Sequence, residues 1–79
     1  MDDTRRARLR VLARMLETID EEARAVWREE RERFDDRSTP SKHSSLGETS
    51  REAIQLLEKT CDAIDHAKDL ILTAAGDPI

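Results

Sequence analysis

The residue types needed for nucleophilic catalysis occur together in the polar stretch FDDRSTPSKHSSLGE, residues 34–48. Asp35, Asp36, His43, Ser44 and Ser45 could supply a carboxylate, a base and a nucleophile. A catalytic triad needs these groups held by surrounding structure beside an oxyanion hole, and a short polar turn lacks that support. We therefore interpret the stretch as a solvated turn and predict that the chain is not an enzyme.

A second group of candidate ligands consists of Asp62, Asp65, His66 and Asp69. Carboxylates together with histidine can bind a divalent metal. The di-iron bundle motif has a glutamate three residues before the histidine, but that position is Ala63, and the matched acid, Asp62, lies four residues before. The spacing favours a solvated acidic face, and we predict no metal and no other cofactor.

Five closely spaced arginines form the strongest functional signal: Arg5, Arg6, Arg8, Arg10 and Arg14. On a helix they could contact phosphates or an anionic membrane surface. The whole chain has a formal net charge of −4, and no aromatic residue lies between the arginines to stack on bases. Nucleic-acid binding is therefore possible but not favoured.

Apolar residues recur at steps of three and four in two segments, which predicts an all-α antiparallel hairpin of two helices. Helix 1 is expected at about residues 4–35, the bend at about 36–44 and helix 2 at about 45–75, within one domain of residues 1–79. Gly76 and Pro78 are typical of a helix end. The stripe of helix 1 is Leu9, Leu12, Leu16, Ile19, Ala23 and Val26, and the stripe of helix 2 is Ile54, Leu57, Cys61, Ile64, Lys68 and Ile71.

A short bend brings the two stripes together in an antiparallel arrangement. In this arrangement, the numbers of two residues that face each other add up to about 80. Ile19 would then pack against Cys61. Arg10 and Arg14 would lie beside Asp69 and Asp65, which would neutralise part of the basic segment. Such exposed ion pairs stabilise a protein by only about 0 to 1 kcal/mol each, but they help to set the register.

Other side chains of helix 1 can also make specific contacts. Asp20 and Arg24 form an i,i+4 pair that we expect on the exposed side. Trp27 and Phe34, the only aromatic residues, are expected to close the core near the bend, with partner binding as the alternative.

The hairpin has more apolar surface than two helices can bury. A second stripe, displaced from the first, runs along each helix, and the excess is largest at the end away from the bend. We therefore predict a homodimer in which two hairpins form a four-helix bundle. The predicted self-association residues are Val11, Met15, Leu56, Ala63, Leu70 and Leu72.

Cysteine usage and hydropathy indicate a cytoplasmic location without membrane association. Cys61 is the only cysteine and lies within an apolar repeat, which suits a reducing compartment. No signal peptide is apparent, and the longest apolar run, beginning at Leu70, is too short to span a bilayer.

The segment around the bend carries a series of residues at defined offsets: Glu29, Glu30, Phe34, Asp35, Ser44, Gly47, Glu48, Ala53 and Ile54. The series resembles a segment of the type E-E-x-x-x-F-D-N-x-P-E-S-x-Q-x-S-E-R-G-E, followed by A-I, in small uncharacterised bacterial helical-hairpin proteins of phages, plasmids and other mobile elements. Asp36 replaces the usual Asn, Pro40 is two positions late, and Leu46 stands where Arg is typical. The resemblance implies a helical hairpin of accessory or mobile-element origin and supplies no activity.

Taken together, these patterns predict a non-enzymatic helical interaction module that self-associates and binds a macromolecular partner, with another protein as one candidate. The alternative is a nucleic-acid-associated regulator that uses the arginines at the start of helix 1.

Overall fold

The structure, a computed structural model, describes residues 1–36 and 47–76 in full and the backbone of residues 45 and 46. Within these residues the chain forms two α-helices and no strand: α1 is Asp3–Asp35 and α2 is Ser45–Ala74. The predicted all-α helical hairpin is confirmed. The predicted bend, apart from Asp36, and the histidine and serines considered for catalysis lie outside the fully described residues.

Local chemistry explains where each helix begins or ends. Asp2 is the N-cap of α1, and its Oδ1 accepts a hydrogen bond of 2.8 Å from the backbone N–H of Arg5. At the end of α2, Gly76 adopts a φ of +81° and donates its N–H to the carbonyl of Thr73 at 3.0 Å. Only glycine adopts this left-handed conformation readily, so the predicted role of Gly76 is confirmed.

The hairpin is long and thin. Its principal extents are 58 × 17 × 14 Å and its radius of gyration is 17.3 Å, whereas a compact domain of this length has a radius of gyration of about 12 Å. The chain exposes 5905 Å² of surface, compared with about 4,900 Å² for a typical compact monomer of its mass. The two helices therefore pack side by side along one line, which we call the seam.

The seam buries few apolar side chains. Among the described residues, the buried hydrophobic ones are Ala13 of α1, Ile54 and Cys61 of α2, and Ala75 just after α2. Two of these four are alanines, whose side chains contribute little apolar area. A core of this size gives the hairpin limited stability of its own.

The predicted seam of α1 is wrong in part. Leu12, Ile19 and Val26 were expected to face α2, but they are 47%, 53% and 50% exposed. The buried residues of α1 are instead Ala13 and Asp20. The helix is therefore rotated from the predicted orientation, so that the small Ala13 and the charged Asp20 lie in the seam.

The predicted register is also wrong. Arg24 contacts Asp65 and Trp27 contacts Glu58, so the residue numbers of facing positions add up to between 85 and 89. Asp65 therefore does not lie beside Arg14 as predicted. In this register the first two turns of α1 extend beyond the end of α2.

No helix in the described part of the chain combines the length and the hydropathy needed to cross a membrane.

Candidate association surface

A cluster of three charged side chains crosses the seam. Arg24 donates one hydrogen bond from Nε to Asp20 Oδ2 and another from Nη2 to Asp65 Oδ2, both 2.8 Å long. The hydrogen bond with Asp20, and then the negative charge of Asp20, raise the pKa of Arg24 above its ordinary value, so the guanidinium remains protonated. Because it holds one carboxylate of each helix, Arg24 links α1 to α2 and helps to set their register.

Asp20 is the buried member of this cluster. The residue is 9% exposed, and its second carboxylate oxygen, Oδ1, is buried without a hydrogen-bond partner among the described residues. A buried carboxylate is tolerated only when a counter-charge and hydrogen bonds compensate for lost hydration. Asp20 and Arg24 form the predicted i,i+4 pair, but the expectation that the pair is exposed is wrong, because Asp20 lies in the seam.

The two aromatic residues make further contacts across the seam towards the bend. Trp27 donates from Nε1 to Glu58 Oε1 at 3.3 Å, and the guanidinium carbon of Arg51 lies 5.5 Å from the centre of the Phe34 ring. Both aromatic side chains are half-buried, and Ile54 is buried near them along α2. Both aromatic residues of α1 thus contact α2, Trp27 through a hydrogen bond and Phe34 through a cation–π contact.

A shallow depression of about 300 Å³ lies beside the charged cluster, lined by Arg24, Trp27, Glu58, Cys61 and Asp62. Cys61 is only 5% exposed. The guanidinium of Arg24 already donates hydrogen bonds to two aspartates. The arrangement is that of a structural contact in which the charged groups hold one another.

The residues weighed as metal ligands do not converge. Within residues 1–36 and 45–76, no group of three or more His, Cys, Asp or Glu side chains could hold a metal ion. Asp65, which belongs to the Asp62, His66 and Asp69 group, is bound by Arg24 instead.

Large apolar side chains that point away from the seam remain exposed on both helices. The most exposed are Leu56 at 63% and Met15 at 57%. We define the apolar face as Leu12, Met15, Ile19 and Val26 of α1 together with Leu56, Ala63 and Leu70 of α2, all of which are exposed. Leu12, Ile19 and Val26 are seven residues apart, and so are Leu56, Ala63 and Leu70, a spacing that keeps each set on one side of its helix.

The exposed residues of the two helices lie on the same side of the hairpin. Successive residues of an α-helix are about 100° apart, so Ile19 lies roughly a third of a turn from Ala13, in the anticlockwise sense viewed from the N-terminus of α1. On α2, viewed from its own N-terminus, the half-buried Ile64 lies anticlockwise of Ile54, and Leu56 lies further round in the same direction. The two helices run antiparallel, so a direction that is anticlockwise on α1 appears clockwise on α2 when both are viewed from one end. The two apolar arcs therefore lie on the same side of the seam.

The opposite side of the hairpin is charged. By the same geometry, Arg14 and Glu21 of α1 lie there with Asp62 and Asp69 of α2. The hairpin therefore has one apolar face and one polar face, although its interior is thin. Such a division is typical of half of a helical bundle.

The residues predicted for self-association occupy several positions. Met15, Leu56, Ala63 and Leu70 belong to the apolar face. Val11 is exposed next to it, and Leu72 is half-buried on the seam side of α2. Sequence reasoning assigned Leu12, Ile19 and Val26 to the seam instead, although their spacing of seven matches that of Leu56, Ala63 and Leu70.

The arginines at the start of α1 lie around the helix. Arg5, Arg8, Arg10 and Arg14 are exposed, and Arg6 is half-buried. Arg5 and Arg6 form ion pairs of 3.9 Å with Asp2 and Asp3, a distance at the outer limit of such contacts. Arg5 and Arg8 border a small apolar depression with Met1, Leu9 and Leu12, at the end of the apolar face.

Replacing Arg24 with leucine should destabilise the hairpin because Asp20 would remain buried without its counter-charge. We expect a lower melting temperature for Arg24→Leu, measured by circular dichroism. The double variant Asp20→Leu/Arg24→Leu should recover most of the loss, since it removes the buried charge as well.

Arg28→Leu is the matched control, because Arg28 is an exposed arginine one turn further along α1. Its melting temperature should remain close to that of the unmodified chain. Equal losses in Arg24→Leu and in the double variant would contradict a compensating role for Arg24.

Comparison with known proteins gave no match to a protein-family model, a curated protein or a solved structure. The resemblance to small bacterial helical-hairpin proteins therefore stays a prediction.

Proposed function

We propose that this chain is a non-enzymatic helical interaction module that self-associates through its apolar face and binds a macromolecular partner. The observation that carries the proposal is the apolar face itself, on which seven side chains from two helices are exposed on one side of the hairpin. Contiguous apolar surface of this kind marks interaction sites in proteins.

The exposed area supports a second copy of the chain as the occupant. The hairpin exposes about 1,000 Å² more than a compact monomer of the same mass would. A stable interface buries about 800 Å² on each partner. Pairing through the apolar face would therefore bring the exposed area per chain close to that of an ordinary compact protein.

The pattern of side chains supports the same occupant. Both helices carry exposed apolar residues at a spacing of seven, which is the repeat that helices of a bundle use to pack against one another. Symmetric pairing needs a surface that complements itself, and a face with two similar helical stripes meets this requirement. The result is the four-helix bundle expected from the sequence.

Self-association leaves the polar face available for a further partner. Exposed charges of both signs lie there, including Arg14 and Asp62. Such a surface suits a polar, reversible contact with another macromolecule. An accessory or mobile-element role depends only on the resemblance of the segment around the bend.

The register supports one second candidate, a nucleic-acid-associated regulator. Asp65 was expected to neutralise Arg14, but Arg24 binds Asp65 instead. Arg14 and Arg8 therefore remain exposed near the start of α1, where they could contact phosphates.

Self-association is tested by substituting the central residue of the α1 part of the apolar face. The unmodified chain should have about twice the 9.1 kDa mass of one copy in light scattering at tens of micromolar. Ile19→Glu should raise the dimer dissociation constant about 100-fold or more, because each copy would place an unpaired charge in an apolar contact.

Thr18→Glu is the matched control, because Thr18 is an exposed neighbour outside the apolar face. It should leave the mass unchanged. A compact, stable monomer in the unmodified chain would refute self-association, and a dimer unaffected by Ile19→Glu would show that the interface lies elsewhere.

The second candidate predicts a mobility shift with random duplex DNA, single-stranded DNA or RNA at low salt, and a steep loss of binding as salt increases. Arg8→Gln/Arg14→Gln should weaken that binding. Absence of any shift at about 100 µM protein, well above the usual non-specific range, would eliminate this candidate.

A further inference from the structure

We infer that the two copies pair with their bends at opposite ends, so that the arginine-rich start of α1 in one copy lies beside the acidic end of α1 in the other. This inference rests on the proposed self-association and adds the orientation of the partner. It also assigns a role in dimerisation to the arginines.

Two symmetric arrangements bring the apolar faces of two hairpins together. With the two-fold axis parallel to the helices, both bends lie at the same end and α1 packs against α2 of the second copy. With the axis perpendicular to the helices, the bends lie at opposite ends and α1 packs antiparallel to α1. Apolar contacts are available in both arrangements, so charge decides between them.

The charges of α1 are separated along its length. Residues 2–14 contain five arginines and two aspartates, a net charge of +3, whereas residues 29–36 contain five acidic residues and two arginines, a net charge of −3. The opposite-end arrangement places the positive start beside the negative end twice. In the same-end arrangement each α1 lies beside α2 of the second copy instead. Its positive start then lies beyond the end of that α2, and its negative end lies near Glu48, Arg51 and Glu52 of the second copy, a net charge of −1.

The register places the start of α1 beyond the last residue of α2, although Arg6 and Leu9 are half-buried there. Because facing residue numbers add up to at least 85, the first two turns of α1 lie beyond Ala74, where α2 ends. Antiparallel packing of α1 about Ile19 supplies a neighbour for these turns. Leu12 then lies level with Val26 of the second copy, and Arg8 lies within about one turn of Glu30 of the second copy.

The charged residues at the two ends of the apolar face of α1 agree with the opposite-end arrangement. Arg5 and Arg8 are exposed, and both border the end of the apolar face. Glu29 is exposed and Glu30 is half-buried, and both follow Val26, the last apolar-face residue of α1. Charged residues that flank an apolar contact typically set partner orientation in helical bundles.

Spin-label distances between the two copies distinguish the arrangements. In a Cys61→Ala background, a label at Glu48→Cys lies near the bend and a label at His66→Cys lies near the middle of the hairpin. We expect a Glu48 distance of about 55 to 65 Å, because Glu48 lies about 18 to 22 residues from the level of Ile19 in each copy, at 1.5 Å per residue, and the bends are at opposite ends. The same-end arrangement gives about 20 to 30 Å, the width of the bundle.

The His66 label is the control, since it gives a short distance in either arrangement. A short distance at both labels would overturn the inference and leave self-association standing. A monomer in light scattering would overturn self-association itself, and the inference with it.

A charge exchange tests the inference without altering Cys61. Arg5→Glu/Arg8→Glu and Glu29→Arg/Glu30→Arg should each raise the dimer dissociation constant about tenfold at low salt, because like charges then meet. A chain with all four substitutions should return to within about threefold of the unmodified value, because opposite charges face each other again. If the chain with all four substitutions dimerised as weakly as either double variant, the opposite-end arrangement would be overturned.

Discussion

Two helices in a hairpin can share only one line of contact, and the rest of this structure depends on that limit. Each helix of this chain carries apolar residues over a wide arc, but its neighbour covers only part of it. The seam buries Ala13, Ile54 and Cys61, while Ile19 and Leu56 remain exposed. The charged contact of Arg24 can hold the two helices in register, but it cannot cover the remaining apolar surface.

One charged residue and several large apolar residues occupy positions opposite to the usual ones. Asp20 is buried in the seam, held by Arg24, while larger apolar side chains point outwards. A charged contact is directional, so it favours one register of the two helices over others, and the apolar face favours burial without direction. In our proposal the charged contact sets the register of the hairpin and the apolar face drives pairing. The charge separation along α1 then orients the second copy.

The sequence predicted the helices and the end of α2 because these features depend on local rules. Apolar residues that recur with the 3.6-residue period of a helix identified both helices. The end of α2 was predicted at Gly76 because only glycine adopts the left-handed cap conformation easily. The seam was not predictable in the same way. Periodicity shows that an arc of α1 is apolar, but it does not show which neighbour covers which part.

The two buried residues of α1, Ala13 and Asp20, both lie outside the apolar stripe that the sequence predicted. Ala13 is a small residue. Asp20 is charged, and it is buried beside Arg24, which also binds Asp65, 45 positions from Asp20 in sequence. The candidate surface was therefore identified in part, with Met15, Leu56, Ala63 and Leu70 assigned to it from the sequence and Leu12, Ile19 and Val26 assigned elsewhere.

The central claim is that a second copy covers the apolar face, and the dependence of thermal unfolding on protein concentration tests it most directly. If folding and pairing are coupled, dilution favours the unfolded chain by mass action. The account predicts that the melting temperature measured by circular dichroism increases steadily between about 1 and 100 µM protein, the range in which a micromolar dimer forms. A melting temperature that is independent of concentration over this range, in a chain that remains helical and monomeric, would contradict it.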